Sequence, residues 1–139
     1  MKHLRVTIAA LLLAAISVVA LGCASGDPLN GTEWRLTEWT VSSLDPDDFN
    51  ITARFDDGEI SGSSGVNTYS GPVTVGADGS FSAGPLSATE MAGSASAMRA
   101  EAAFMTLLTD AASYEVMDST LTLRDEGGND SLVFTRVAQ

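Results

Sequence analysis

The stretch EISGSSGVNTYSG, Glu59 to Gly71, sets three glycines and four serines around Asn67 and Tyr69. Runs of this composition can cradle a phosphate in backbone N–H groups, or present a serine nucleophile on a sharp turn. The first use requires a helix immediately behind the loop and, in the P-loop case, a lysine. The second requires a strand, a turn and a helix together with an imidazole base. No helical periodicity follows Gly71, and the only lysine and histidine of the chain are Lys2 and His3. The glycines therefore read as relief of crowding where strands bend, with Asn67 hydrogen-bonding at the turn. Eighteen acidic residues offer carboxylate pairs of the kind glycosidases use, but they concentrate in DPDD, DDGE and DEGGND, which are turns and exposed tips. Asp45, Asp47, Asp48 and Asn50 could offer clustered oxygens to calcium, although an EF-hand would need Gly where Asn50 stands.

Lys2 and Arg5 precede an apolar run, Val6 to Leu21, that ends on Gly22 and Cys23. This is the pattern of a secretory signal peptide over residues 1–22, and the run is short for a bilayer-spanning helix. Ala20, Leu21, Gly22 and Cys23 resemble a bacterial lipobox with its first two positions swapped, which marks Cys23 for lipid attachment. Ordinary cleavage there would instead leave an unpaired, oxidisable thiol. Removing 22 of the 139 residues leaves 117, enough for one domain with one core. It also removes Lys2, His3 and Arg5, so five arginines face all 18 acidic residues, 13 net negative charges. Such a field repels nucleic acid and anionic headgroups. Triads with histidine and zinc sites of His and Cys are excluded by composition.

Beyond a tether at 23–30, period-2 patterning begins at Gly31. Trp34 and Leu36 alternate, then the parity shifts at Trp39 and Val41, which predicts a bulge. Ile51, Ala53 and Phe55 alternate into Asp57-Gly58, a type I′ hairpin signal. Ile60 to Ser63, Val73 with Val75, and the segment around Phe81 after GADG continue as strands. From Ser96 to Ser113 the pattern becomes helical, with Met98, Ala102, Met105, Leu108 and Ala112 forming the predicted buried stripe, flanked by Phe104, Leu107 and Ala111. Tyr114 to Met117, Leu121 with Leu123, and Leu132 with Phe134 close the inventory. The fold expected is mainly β (α+β): a small curved antiparallel sheet or open barrel of about eight strands with one packed helix.

The blocks LNGTEWRL, ITARFDDGEISGSSGVNTYSG, GPLSATEMAG, MRAEAAFMTLL, YEVMDSTLTLRDEGG and LVFTRV stand in the order of the META domain. The chain resembles that family, which includes the HslJ heat-shock lipoproteins, from Leu29 to Val137, and residues 31–139 are expected to form the domain. Within the resemblance, Gly65, Asn67, Tyr69 and Gly71 match a Gly-Cys-Asn-x-Tyr-x-Gly block, and Thr89 and Met91 match a Thr-x-Met-Ala-Cys block. Glu101 matches an acidic helix position and Trp34 the opening strand. Val66 and Gly93 stand where relatives carry cysteines, so any pairing of those cysteines is lost here, and Glu90 stands where a basic residue is common.

The resemblance implies an envelope lipoprotein linked to heat stress and novobiocin tolerance, with no recognised enzymatic activity and no cofactor. The expectation is a non-catalytic domain, lipid-anchored through Cys23 at the outer membrane or cell surface, that binds or supports an unknown protein or small molecule. Ala24 and Ser25 lack the Asp associated with inner-membrane retention. The alternative is a carrier of an apolar ligand or hydrophobic peptide lined by Trp34, Phe55, Phe81, Phe104 and Met105.

Overall fold

The computed structural model describes residues 26–41 and 43–138. The expected signal segment and Cys23 lie outside the described residues. Among the described residues, nine antiparallel strands and one α-helix follow in the order β1 (Thr32–Trp39), β2 (Thr52–Asp56), β3 (Glu59–Ser63), β4 (Thr68–Val75), β5 (Phe81–Ala83), β6 (Ser87–Ala88), α1 (Ala95–Asp110), β7 (Ser113–Met117), β8 (Thr120–Arg124) and β9 (Asp130–Arg136). A turn of 3-10 helix, Pro46–Asp48, bridges β1 and β2.

The spatial order β5-β4-β3-β2-β1-β9-β8-β7 places the first strand beside the last, with β6 extending β5 along β4. The two ends of that order meet. Phe81 N–H donates to Ala112 O at 3.0 Å and Tyr114 N–H to Gly79 O at 2.9 Å, and Ser80 bridges Ser113. The Tyr114 hydroxyl adds a bond to Gly76 O at 2.8 Å. The result is a nearly closed barrel-like sheet, which leaves few free strand edges.

Local chemistry accounts for the hairpins. Asp57 and Gly58 both take positive φ, 47° and 76°, as a type I′ turn requires. The β1–β9 register slips between Leu36 and Glu38, the bulge that the parity change predicts. It lets Leu36 be fully buried while Trp39 still packs on the core.

Three readings need correction. Residues 27–30 belong to the domain rather than to a tether, because Leu29 is fully buried and Asn30 Oδ1 accepts the Asp57 amide at 2.8 Å. The helix ends at Asp110, not Ser113, since Ala112 is drawn into the barrel seam. Its buried stripe is Ala100, Phe104 and Leu108, at steps of four, whereas Met98 and Ala102 are exposed. Phe104 turns the helix toward the sheet by stacking edge-on against Tyr69 and Phe134, with ring centroids 5.4 and 6.4 Å away.

Candidate functional site

The glycine- and serine-rich stretch becomes β3, a tight connection and β4. Ser64 N–H donates to Asn67 O at 2.8 Å, and Asn67 N–H donates to Ser64 Oγ at 3.2 Å. Gly65 completes the turn at φ +98°, a conformation side chains disfavour. This reversal buries Asn67, which is 2% exposed, and aims its carboxamide at the segment between β5 and α1. Asn67 Oδ1 accepts from Met91 N–H at 2.7 Å and from Thr89 Oγ1 at 2.9 Å. Its Nδ2 donates to Met91 O at 3.2 Å and, with the other hydrogen, to both carboxylate oxygens of Glu101 at 3.0 Å. The carboxamide thus pairs with the Met91 backbone as a neighbouring strand would and uses all of its bonding capacity.

Glu101 reaches this point from α1, whose first turn is set by Ser94: the hydroxyl accepts from Ala97 N–H at 3.2 Å. The Ser64 hydroxyl touches Glu101 Oε2 and also lies 2.9 Å from Asn67 O, so its one proton serves either acceptor. Thr89 is held in turn by Thr68, N–H to O in one direction at 3.0 Å and Thr68 N–H to Thr89 Oγ1 at 3.2 Å in the other. Among the described residues no buried side-chain nitrogen or oxygen lacks a partner.

Over this network lies an open groove of about 450 Å³, lined by Asn67, Thr89, Glu90, Met91, Met98 and Glu101. Glu90 and Glu101 make it negative, and among the described residues no cation lines it. A larger depression of about 570 Å³ lies elsewhere, between Phe81, Thr109, Asp110, Asp125 and Glu126, and includes none of the motif positions. There, bonds from the Asn129 amide and side chain hold the Asp125 carboxyl below the usual range, as befits a loop-tip capping group.

A model of the META domain matches residues 27–139. The chain belongs to the META domain family. Among solved structures, an NMR structure of a protein from Burkholderia xenovorans is 27% identical, with a TM-score of 0.67 over 80% of this chain and 85% of that one. A second NMR structure is 20% identical, TM-score 0.59, covering 77% and 90%. The crystal structure of a DUF4847 family protein from Bacteroides vulgatus is 17% identical, TM-score 0.58, covering 81% and 96%, and shares the fold. No curated protein matches.

Of the META motif positions singled out in the sequence, Asn67, Thr89, Met91 and Glu101 come together. Tyr69 sits behind them in the core, its hydroxyl donating to Thr52 O at 2.7 Å, and burial pushes its phenol well above the usual range. Gly71 lies under Leu86, where a Cβ would approach Pro85 O to 2.6 Å. Trp34 bonds elsewhere: it is buried in β1, donates to Thr32 Oγ1 at 2.7 Å, and carries the Arg136 guanidinium 4.6 Å above its ring. Ser64 is the member that sequence reasoning missed, being one of four serines in the stretch; its place just before Gly65 was the available signal.

Val66 and Gly93, the departures from the family pattern, face each other: a Cβ on Gly93 would lie 2.9 Å from Val66 Cγ2. The residues expected to line a carrier pocket, Trp34, Phe55, Phe81 and Phe104, are instead joined in the core cluster, with Met105 packed against it. In the DPDD loop Asp45 caps the 3-10 turn by accepting Asp47 N–H at 3.0 Å, and Asp47 lies 3.4 Å from Arg35. Among the described residues no three carboxylates, cysteines or histidines converge on a metal-sized site.

Proposed function

We propose that this META domain is a non-catalytic module of the bacterial cell envelope, exported, anchored by lipid on Cys23 and acting in stress or antibiotic tolerance by binding or supporting another envelope component. The observation that carries this reading is the self-sufficiency of the motif. Asn67, Ser64, Thr89 and Glu101 direct their polar groups at one another and at the Met91 backbone, so the motif holds a segment in place. A nucleophilic serine needs a basic partner, and Ser64 has only the carboxylate that Asn67 already occupies. Neither a cofactor nor nucleic acid enters the proposal, the negative field favouring a neutral or cationic partner at the outer membrane or cell surface.

The test combines address and phenotype. Mass spectrometry should find the mature N-terminus lipidated at Cys23, and Cys23→Ser should move the protein out of the membrane fraction. Loss of the gene should sensitise cells to heat or novobiocin, and Asn67→Ala should reproduce that loss, whereas Cys23→Ser protein remaining membrane-bound, or a null strain with unchanged tolerance, would reject the reading. A second reading, a binding module for an apolar ligand or hydrophobic peptide, draws on the groove flanked by the exposed Met91 and Met98 rather than on the filled interior. Titration with a fluorescent acyl probe, with Met91→Ser and Met98→Ser as controls, separates the two.

A further inference from the structure

The core of this domain is built from Leu, Ile, Val, Phe, Trp, Tyr and Ala, without methionine. Of the four methionines among the described residues, Met105 alone is packed against that core, while Met91, Met98 and Met117 are 60%, 38% and 63% exposed. Large apolar side chains favour the interior, yet here three of the four exposed ones are thioethers. Residues 26–138 contain no cysteine, so thioethers are their softest nucleophiles.

The three are not equivalent. Met117 ends β7 beside the Asp118 turn, and its side chain enters no hydrogen bond on which the fold depends. Met91 and Met98 flank the groove over Asn67 and Glu101. Met98 goes further: its Sδ accepts the Gly93 N–H at 3.4 Å, tying the segment held by Asn67 to the first turn of α1.

We propose that Met91 and Met98 form a reversible oxidation site, with two-electron oxidants of the hypohalous acid class as co-substrate, and that Met98 sulfoxide releases the Gly93 amide and loosens the segment over the groove. In net terms the thioether gives an electron pair to hypochlorous acid. An S–O bond forms, the O–Cl bond breaks, and chloride and a proton leave; sulfur is oxidised by two electrons and chlorine reduced by two. In the sulfoxide the acceptor is the oxygen, one bond beyond the sulfur, so the Gly93 contact cannot persist in place. The groove rim also changes from apolar to polar. Because none of these sulfurs lies in the core, the barrel tolerates the change.

The test is a graded hypochlorous acid titration of the intact, isotope-labelled protein, followed by peptide mass spectrometry and amide NMR. Met117 serves as an internal reference for simple exposure. Met91, Met98 and Met117 should each gain one oxygen before Met105, with Tm held within about 3 °C. The Gly93 amide should shift and exchange at least tenfold faster as Met98 oxidises, and methionine sulfoxide reductases should restore both signals. In Met98→Leu the same treatment should leave Gly93 unmoved. A Gly93 amide unaffected in fully oxidised protein, an equal response in Met98→Leu, or oxidation of Met105 together with unfolding would each overturn the proposal.

Discussion

Asn67 is the residue on which the motif converges, and its chemistry dictates what replacement does. Asn67→Ala leaves Met91 N–H and C=O, Thr89 Oγ1 and Glu101 without their partner at once. Glu101 and Thr89 regain water, so the loss should be about 2 kcal/mol, read as a lowered midpoint in urea. Asn67→Asp keeps the shape but sets a second carboxylate against Glu101 and an acceptor against Met91 O. It should be the more harmful at neutral pH and should recover in acid, where a shared proton replaces repulsion. Tyr69 gives a pH signature at the alkaline end of the scale. Its folded-state pKa is raised by burial, so its contribution is complete below the unfolded value of 10.0 and is lost as pH rises past it. Thermal melts should show an alkaline loss of stability beginning near pH 10. Tyr69→Phe should flatten much of that loss while costing about 1 kcal/mol at neutral pH for the bond to Thr52 O. Such roles were only partly legible in the sequence. Asn67 stood out as the one Asn in a hydroxyl-rich turn, and Glu101 as a match to an acidic helix position of the family, whereas their pairing at 3.0 Å joins positions 34 residues apart and has no local pattern.

Elements show why some local patterns were readable and others not. The Asp57-Gly58 hairpin and the β1 bulge are encoded within a few residues, by a turn that needs positive φ and by a parity change, so sequence alone places them. The end of α1 is encoded at a distance: Ala111 and Ala112 are as suited to helix as the residues before them, and the seam with Phe81 extends them. Strand β6, two residues long and exposed, has no apolar pattern and exists because β4 offers it a ladder. The segment from Gly84 to Ser94 is the element whose attachment can be altered most cleanly. With a Cβ at position 93 only 2.9 and 3.1 Å from the two Val66 γ carbons, the double substitution Val66→Cys and Gly93→Cys places a sulfur near disulfide reach of its partner Cβ. Oxidation of that variant should raise stability by about 3 kcal/mol, a gain that disappears on adding reductant and is absent from either single variant. Failure to oxidise, or oxidation without a rise in Tm, would mean that the segment does not hold the two positions face to face.

Across the whole molecule, the order β5-β4-β3-β2-β1-β9-β8-β7 makes the N-terminal hairpins one wing and the C-terminal strands the other, joined at β1 and β9 and again at the β5–β7 seam. Neither join is visible as a local pattern, because each pairs residues far apart in the chain, and the near closure of the barrel was accordingly less legible than its strands. The helix adds a third join through one ring. Phe104 meets Tyr69 of β4 on one wing and Phe134 of β9 on the other, and is itself fully buried. Truncating it therefore weakens both wings together. Phe104→Ala should cost about 3–5 kcal/mol, the range for removing a buried aromatic ring. The loss should appear as one cooperative transition at lower temperature, with amide protection falling alike in β3–β4 and β8–β9. If instead one wing melted first while the other kept its protection, the helix would be a lid on an independently stable sheet rather than the piece that makes the two wings a single folding unit.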